Sequence, residues 1–184
     1  MKKVLLIGAD GMLGGELKER LEKKYEVVGT TLQTLDICDR DAVFAKAKEV
    51  KPYFIINCAA FTNVDACEVK EDLALAVNGT AVGNIADAAK DVDATFIHIS
   101  TDYVFAGNLP VDQAYTEDME PNPVSAYGRT KLVGENGTVY NYGNRDATYA
   151  RIDKEGEPGY LSAINNRITI PELAVLSQFE VEYE

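Results

Sequence analysis

The feature that most constrains how this 184-residue chain can fold is a glycine-rich turn near its start, Gly8-Ala9-Asp10-Gly11-Met12-Leu13-Gly14. An apolar run at 4–7 precedes the turn and predicts a buried strand, and leucines at helical spacing follow it. A strand, a glycine-rich turn and a helix form a pocket for phosphate, because the helix N-terminus offers N–H groups and a partial positive charge. The spacing is G-x-x-G-x-x-G rather than the more usual G-x-G-x-x-G, so a purely structural turn stays open as an alternative.

The three glycines of the turn have different predicted roles. Gly8 permits a tight turn, Gly11 lets the backbone approach a pyrophosphate, and Gly14 lets the helix pack closely on the strand. A site for NAD usually has an acidic residue about 20 positions beyond the glycines, where this chain has Thr30 and Thr31. Because neither an acid nor an arginine stands there, the choice between NADH and NADPH stays open, with a slight preference for NADPH.

The chain continues with alternating strand and helix patterns, which predict an α/β fold with a doubly wound parallel sheet of the Rossmann type. Residues 96–100 are expected to be the fifth strand and residues 148–152 the sixth. The other predicted elements are strands at 25–30 and 53–57 and helices at about 40–50, 64–77 and 78–90. We expect one dinucleotide-binding domain over 1–152 and a short C-terminal segment, 153–184, that is too small for a core of its own.

Charge and cysteine content exclude several classes of function. The chain has 30 acidic and 18 basic residues and a formal net charge of −12, which argues against a nucleic-acid surface and against binding to an anionic membrane. Its three cysteines are odd in number and fit no metal-ligand spacing, so we expect neither a metal site nor a disulfide framework, and a cytoplasmic location. No stretch approaches the roughly 20 apolar residues that a membrane span needs.

Chemically reactive residues gather at the end of the strand predicted at 96–100 and in a later helix. Thr101 follows the strand, and Tyr127 and Lys131 lie four positions apart, so that they share one helix face. An ammonium beside the phenol is expected to lower the tyrosine pKa from about 10 toward working pH. Tyr127 would then pass a proton to a carbonyl oxygen that Thr101 also holds. His98, the only histidine, lies inside the strand, and we expect a structural role for it.

Together these features resemble the extended short-chain dehydrogenase/reductases, and within them the dTDP-4-dehydrorhamnose reductase family. The resemblance runs in the family's order from residue 1 to about residue 135. The matching stretches are residues 8–14, Leu35-Asp36-Ile37, residues 57–65, Asn78, residues 100–105, residues 115–117 and residues 127–135.

The resemblance implies a catalytic triad, a cofactor and a substrate class. In that family the residues that match Thr101, Tyr127 and Lys131 form the triad, and NADPH or NADH reduces a 4-keto sugar nucleotide, here a dTDP-sugar. Lys131 would also hold the ribose of the nicotinamide, and a homodimer is one expected assembly. The cofactor-binding residues that the resemblance implies are Gly8, Asp10, Gly11, Met12, Leu13, Gly14, Asp36, Ile37, Ala59, Ala60, Thr62, Asn78, Tyr127 and Lys131.

The sequence departs from the family pattern in its last part. Family members are considerably longer, and their C-terminal region supplies much of the sugar-nucleotide pocket. Asn136-Gly137 predicts an early end to the helix that carries the tyrosine and lysine, and no match extends beyond residue 152. Two other interpretations therefore stay open: a non-catalytic dinucleotide-binding or regulatory protein of the same fold, and an engineered or truncated scaffold in which the site residues persist.

Overall fold

The computed structural model describes residues 1–110, 112–116, 119–142 and 148–150, with the backbone alone for 137–142 and 148–150. The described strands are β1 (Lys3–Ile7), β2 (Glu26–Thr30), β3 (Phe54–Asn57), β4 (Thr95–Ile99) and β5 (Thr148–Ala150). They form one parallel sheet in the order β2-β1-β3-β4-β5. Because every pair is parallel, all carboxyl ends lie at one edge, and the strand order reverses direction between β1 and β3.

Helices connect the strands. They are α1 (Met12–Leu21), α2 (Arg40–Val50), α3 (Val64–Val69), α4 (Glu71–Leu75), α5 (Ala81–Asp91) and α6 (Ala126–Tyr142). A π-helical turn, Ala76–Thr80, joins α4 to α5, and a 3₁₀ turn, Asp102–Val104, follows β4. The side chain of Asp39 caps α2 by accepting the N–H of Ala42, as an acid just before a helix predicts.

The sheet buries apolar side chains on both of its faces. Leu5 and Ile7 of β1 pack in one cluster with residues of α2 and α5, whereas Val4 and Leu6 pack in another with residues of α1. Successive residues of a strand point to opposite faces, so a continuous apolar run is what a strand covered on both sides requires. The predicted doubly wound fold is therefore confirmed.

The helical stretch between β3 and β4 divides at a different residue than the sequence predicts. The expected boundary lay between residues 77 and 78, but the break falls at Lys70, whose φ is −132°. From Glu71 the helix continues through the π turn to Asp91. Asn78, in that turn, bonds to a distant backbone group and therefore does not compete with its own helix.

The later elements also differ in part from expectation. The strand expected as the fifth is β4, the fourth of the described strands. Helix α6 is not cut short at Asn136-Gly137, since its backbone continues to Tyr142 and a helical glycine costs only about 1 kcal/mol. The strand expected as the sixth is present as β5, while Arg151, Ile152 and the segment 153–184 lie outside the described residues.

Candidate active site

The glycine turn after β1 is held between the ends of β2 and β3. The N–H groups of Gly8 and Ala9 both donate to the carbonyl oxygen of Thr30, at 2.9 Å. Gly8 has a φ of +78°, and a Cβ on it would lie 2.7 Å from the nitrogen of Ala59 in the loop after β3. The turn, the end of β2 and that loop are therefore in direct contact.

Gly11 and Gly14 have different surroundings. A Cβ on Gly14 would overlap the carbonyl oxygen of Gly8, so the fold itself requires a glycine there. A Cβ on Gly11 would meet the same oxygen at 3.3 Å, a close contact that a small shift relieves. Gly11 is the N-cap of α1, and its lack of a side chain leaves the first N–H groups of the helix uncapped.

This pocket fits the pyrophosphate and ribose of a dinucleotide. The uncapped N-terminus of α1 supplies N–H donors, and the net charge of −12 makes such local donors necessary for an anion. Thr30 Oγ1 is buried without a hydrogen-bond partner in the described part of the chain, so a ligand hydroxyl would satisfy it. Beside the turn, Asp10 and Met12 are exposed and Leu13 is half-buried.

Asp36 and Ile37, in the loop after β2, differ in what they can contact. Asp36 is exposed, and its Oδ1 accepts the N–H of Cys38 at 2.9 Å. Ile37 is buried in the same apolar cluster as Leu35 and Val43. Asp36 therefore has a second carboxylate oxygen for a ligand, whereas the side chain of Ile37 belongs to the core.

The loop after β3, which includes Ala59, Ala60 and Thr62, is tied to α6 by Asn78. Oδ1 of this asparagine accepts the N–H of Phe61 at 2.8 Å, and its Nδ2 donates to the carbonyl oxygen of Phe61 at 3.0 Å. Nδ2 also donates to a threonine hydroxyl on α6 at 3.3 Å. The alanines are half-buried and Thr62 is exposed, so the loop offers backbone and small side chains at the sheet edge.

Thr101 and Tyr127 meet at the carboxyl end of β4. Thr101 is buried two residues beyond the strand, and its hydroxyl donates to Oδ1 of Asp102 at 3.2 Å and accepts the N–H of Tyr103 at 3.3 Å. The same hydroxyl faces the phenol of Tyr127 on α6 and acts to lower the pKa of that phenol. The ring of Tyr103 packs edge-on against Tyr127, with 5.6 Å between ring centroids. Two adjacent hydroxyl groups of this kind can together hold one carbonyl oxygen.

The pKa of the Tyr127 phenol is raised above its usual value of 10, in contrast to the sequence-based expectation. Burial is the largest cause, the hydrogen bond from Thr101 acts in the opposite direction, and neighbouring acidic groups raise the pKa further. Lys131 is not among the groups that shift it. The prediction that Lys131 lowers the pKa of Tyr127 is therefore wrong for this structure, because the lysine amine has other partners.

The amine of Lys131 is directed toward β4. The side chain is 2% exposed, and Nζ donates to the carbonyl oxygen of Ile99 at 2.6 Å and lies 3.3 Å from Nε2 of His98. Burial lowers the pKa of the lysine to about 8, although Glu135 and Cys58 act in the opposite direction. The shared helix face was a sound prediction, but it does not determine which groups the amine contacts.

Three buried polar residues near Lys131 are absent from the predicted site. Asn57 and His98 are register partners on β3 and β4, with 3.2 Å between Asn57 Nδ2 and His98 Nδ1. Glu135 lies one turn beyond the lysine on α6 and accepts a hydrogen bond from the hydroxyl of Ser100. A signal for them exists in the sequence: polar residues interrupt two apolar strand patterns, and Glu135 stands four positions after Lys131.

A parallel sheet whose order reverses between β1 and β3, with a glycine turn leading into the first helix, defines a Rossmann-like protein. The sequence model of the RmlD substrate binding domain matches residues 1–152 of the chain. The chain therefore belongs to the RmlD substrate binding domain family, which agrees with the resemblance derived from its motifs.

Three relatives show the extent of the similarity. The dTDP-4-dehydrorhamnose reductase of Mycolicibacterium smegmatis is 44% identical over 137 residues, which are 73% of this chain and 40% of that protein. The crystal structure of dTDP-4-dehydrorhamnose reductase from Bacillus anthracis in complex with NADP has a TM-score of 0.78 at 35% identity, covering 85% of this chain and 57% of that one. Methionine adenosyltransferase 2 subunit beta of Xenopus tropicalis is 36% identical over 159 residues, 82% of this chain and 46% of that protein. The chain spans about half the length of these relatives.

Two further properties concern membranes and metals. None of the helices in the described ranges is both long and apolar enough to cross a membrane. Within those same ranges, no three histidine, cysteine or carboxylate side chains come together in a group that could hold a metal ion. The three cysteines are free thiols, with Cys38 exposed, Cys58 half-buried and Cys67 buried.

Proposed function

We propose that the chain acts as an NAD(P)H-dependent reductase of a 4-keto sugar nucleotide, of the dTDP-4-dehydrorhamnose reductase type. The observation that carries the proposal is the hydroxyl pair of Thr101 and Tyr127 at the carboxyl end of β4, with Lys131 one helical turn beyond the tyrosine. The relative from Mycolicibacterium smegmatis, 44% identical, supports the substrate class.

The glycine turn is the proposed cofactor site. The N-terminus of α1 at Gly11 would hold the pyrophosphate, and Thr30 Oγ1 would bond to a ribose hydroxyl. The relative from Bacillus anthracis, a complex with NADP, supports a dinucleotide cofactor. NADPH or NADH bound there supplies the hydride. Thr30 and Thr31 occupy the position where an acid would favour NADH or an arginine would favour NADPH, so both dinucleotides are expected to bind.

Tyr127 is the proposed general acid. Its raised pKa keeps the phenol protonated at working pH, which is the form that donates a proton to a carbonyl oxygen. Thr101 holds the same oxygen, and its hydrogen bond also stabilises the phenolate that remains after the transfer. A positioned general acid of this kind contributes roughly 10²–10⁴-fold to the rate.

Lys131 is the proposed holder of the nicotinamide ribose. As an ammonium it has three N–H donors, of which one is used by the carbonyl oxygen of Ile99. The remaining donors would be available for ribose hydroxyls after the side chain adjusts from its buried position. Lys131 therefore contributes ribose binding and, below its pKa of about 8, a positive charge, while the proton for the substrate comes from Tyr127.

A second candidate is a regulatory protein that binds a dinucleotide without turnover. The similarity to methionine adenosyltransferase 2 subunit beta, which covers 82% of this chain, favours this alternative. The direction of Lys131, whose amine bonds to Ile99 rather than acting on Tyr127, also agrees with it.

Two measurements test the proposal and separate the candidates. Fluorescence titration with NADPH and NADH measures cofactor binding, and oxidation of NADPH in the presence of dTDP-4-dehydrorhamnose measures turnover. The reductase proposal expects both binding and turnover, and the regulatory alternative expects binding alone. If neither dinucleotide binds, both candidates are excluded.

A further inference from the structure

Asn57 has its side-chain orientation fixed by the backbone. Its Oδ1 lies 3.0 Å from the N–H of Ala59, a donor that cannot act as an acceptor. The amide nitrogen Nδ2 is consequently the group that faces Nδ1 of His98, at 3.2 Å. Since Nδ2 can only donate, Nδ1 of His98 must be the acceptor.

His98 then has one place left for its proton. The ring is 1% exposed, and its pKa is held well below the usual 6.5, first by burial and second by Lys131, so the imidazole is neutral. A neutral imidazole carries a single N–H. With Nδ1 accepting from Asn57, that hydrogen is on Nε2, which faces Nζ of Lys131 at 3.3 Å.

An N–H aimed at the lysine discriminates between its two protonation states. An ammonium has three donors and no lone pair, so it meets Nε2–H as donor against donor. A neutral amine accepts from Nε2–H and still donates to the carbonyl oxygen of Ile99 at 2.6 Å. Only with a neutral Lys131 is every hydrogen bond satisfied along the sequence Asn57, His98, Lys131, Ile99.

We infer that Asn57 and His98 are positioning residues for Lys131: their one-directional hydrogen-bond chain fixes the His98 proton on Nε2 and thereby favours the neutral amine of Lys131 over the ammonium. The role of this control in catalysis rests on the proposed reductase function, whereas the proton positions do not. In that function, the proton affinity of Lys131 sets the alkaline limit of activity.

Other titratable groups around Lys131 act alongside this chain. Glu135, on the same helix, favours the ammonium, and its carboxylate also accepts the hydroxyl of Ser100. Cys58, after β3, has a pKa raised to about 12 by burial and is therefore a neutral thiol at working pH. His98, on β4, opposes the ammonium. Burial lowers the pKa of Lys131 to about 8 against the opposing effects of Glu135 and Cys58.

The position of the histidine proton can be measured directly in the parent protein. The chain has one histidine, so labelling with ¹⁵N-histidine gives the two nitrogen signals of a single ring. We expect a protonated Nε2 and an unprotonated Nδ1 throughout about pH 7 to 10, where the lysine changes its charge. A proton on Nδ1, or on both nitrogens, would overturn the inference. The experiment needs neither cofactor nor substrate, so loss of the reductase proposal leaves its outcome unaffected.

Asn57→Asp tests the donor-to-acceptor direction of the hydrogen-bond chain from Asn57 through His98 to Lys131. A carboxylate oxygen facing Nδ1 accepts its hydrogen, so the proton moves to Nδ1 and Nε2 becomes an acceptor for the ammonium of Lys131. We expect the lysine titration, followed by the ¹³Cε signal that Lys131→Met removes, to move upward by about 1–3 pH units, and the alkaline limb of any turnover to move with it. An unchanged histidine tautomer in this variant contradicts the inference.

The carboxylate introduced by Asn57→Asp also raises the pKa of Lys131 by its charge. A second variant background separates this effect from that of the His98 tautomer. In the His98→Phe background the hydrogen-bond chain from Asn57 to Lys131 is interrupted. Asn57→Asp in that background therefore measures only the effect of the new carboxylate charge on the Lys131 titration. We expect a smaller upward shift of the Lys131 titration in this background than in the parent. An equal shift in both backgrounds means that His98 transmits nothing, and the inference is then wrong. If Asn57→Asp does not fold, the tautomer of the parent still decides.

Discussion

Burial acts in opposite directions on the two titratable side chains of the candidate site. It raises the pKa of the Tyr127 phenol and lowers the pKa of Lys131 to about 8, so that both groups are driven toward their neutral forms. A protonated phenol beside the Thr101 hydroxyl is the form needed to donate a proton to a carbonyl oxygen. The protonation state of the phenol therefore agrees with the general-acid role proposed for Tyr127.

Replacement of Tyr127 by phenylalanine removes the proposed proton donor and little else. Tyr127→Phe should retain cofactor binding and lose turnover by roughly 10²–10⁴-fold, because a general acid contributes that much. Steady-state kinetics with a 4-keto sugar nucleotide, together with NADPH titration, measures the two effects. The matched control is Tyr53→Phe, because Tyr53 is a half-exposed tyrosine that precedes β3 at the opposite edge of the sheet. Parental turnover in Tyr127→Phe would exclude the mechanism.

The lowered pKa of Lys131 makes folding stability depend on pH. Between about pH 8 and the usual 10.5, the unfolded chain holds a proton on this lysine that the folded chain has released, so the lysine's contribution to the free energy of unfolding rises with pH. One pKa unit is about 1.4 kcal/mol, and the full rise is therefore on the order of 3 kcal/mol. Urea denaturation at several pH values measures it.

Other groups titrate in the same window, so the prediction concerns the difference between parent and variant. The raised pKa values of Tyr127 and Cys58 act in the opposite direction, since these acids lose their protons first in the unfolded chain. Subtracting the Lys131→Met profile from the parent profile should leave the rise that belongs to the lysine. Lys90→Met, at an exposed position on α5, is the control for the replacement of a lysine by methionine. A flat difference between the parent and Lys131→Met profiles would contradict the lowered pKa of Lys131.

At the scale of elements, one glycine of the turn can be changed to impair cofactor binding without loss of the fold. Gly11→Val should abolish dinucleotide binding, because a β-branched side chain at the N-cap blocks the approach to the first N–H groups of α1. Far-UV circular dichroism should remain close to parental, since a Cβ there meets only the Gly8 oxygen, at 3.3 Å. Gly15→Ala, in the first turn of the same helix, should bind as the parent does, because a Cβ there makes only an ordinary contact with the Ala9 carbonyl oxygen, at 3.9 Å. Parental NADPH affinity in Gly11→Val would refute the phosphate role.

The π turn between α4 and α5 is stabilised by contacts from Asn78 to the loop after β3. Asn78→Asp keeps an acceptor for the N–H of Phe61 but loses the donor to the carbonyl oxygen of Phe61. We expect the free energy of unfolding to fall by about 1–3 kcal/mol, because that oxygen is left unsatisfied. Thermal or urea denaturation measures the loss. Asn63→Asp, which can keep capping α3, is the control and should be nearly neutral. Equal stability of the two variants would show that the Asn78 amide does not hold the loop.

The elements that the sequence predicts well are those whose pattern is local. The apolar run of β1 and the leucine spacing of α1 follow from burial on one or two faces, which a single segment reveals. The course of the helix through Asn78 is not predictable in this way, because the amide of Asn78 bonds to Phe61, a contact distant in sequence. Likewise, spacing placed Lys131 one turn from Tyr127, but the partners of its amine come from β4.

The whole molecule combines a strongly acidic charge with a site for anionic ligands. The formal net charge of −12 repels a dinucleotide at long range, so binding depends on the local donors of α1. All carboxyl ends of the parallel strands lie at one edge, and the predicted contact residues of the described chain come from loops at that edge, from the start of α1, from the π turn and from α6. The family match ends at residue 152, and the 32 residues beyond it carry seven carboxylates and two cations.

The chain should therefore bind its cofactor better than a sugar nucleotide. The glycine turn, the Ala59-Ala60 loop and α6 all lie within the matched residues, whereas the acidic stretch after residue 152 offers few partners for a diphosphate. Remote contacts to substrate position the reacting carbon, so their loss costs turnover as well as affinity. Calorimetry on the 184-residue chain should show measurable binding of NADPH or NADH and weak or absent binding of a dTDP-sugar. Tight binding of the dTDP-sugar with normal reductase turnover would mean that the last residues do form a substrate pocket, and this prediction would be wrong.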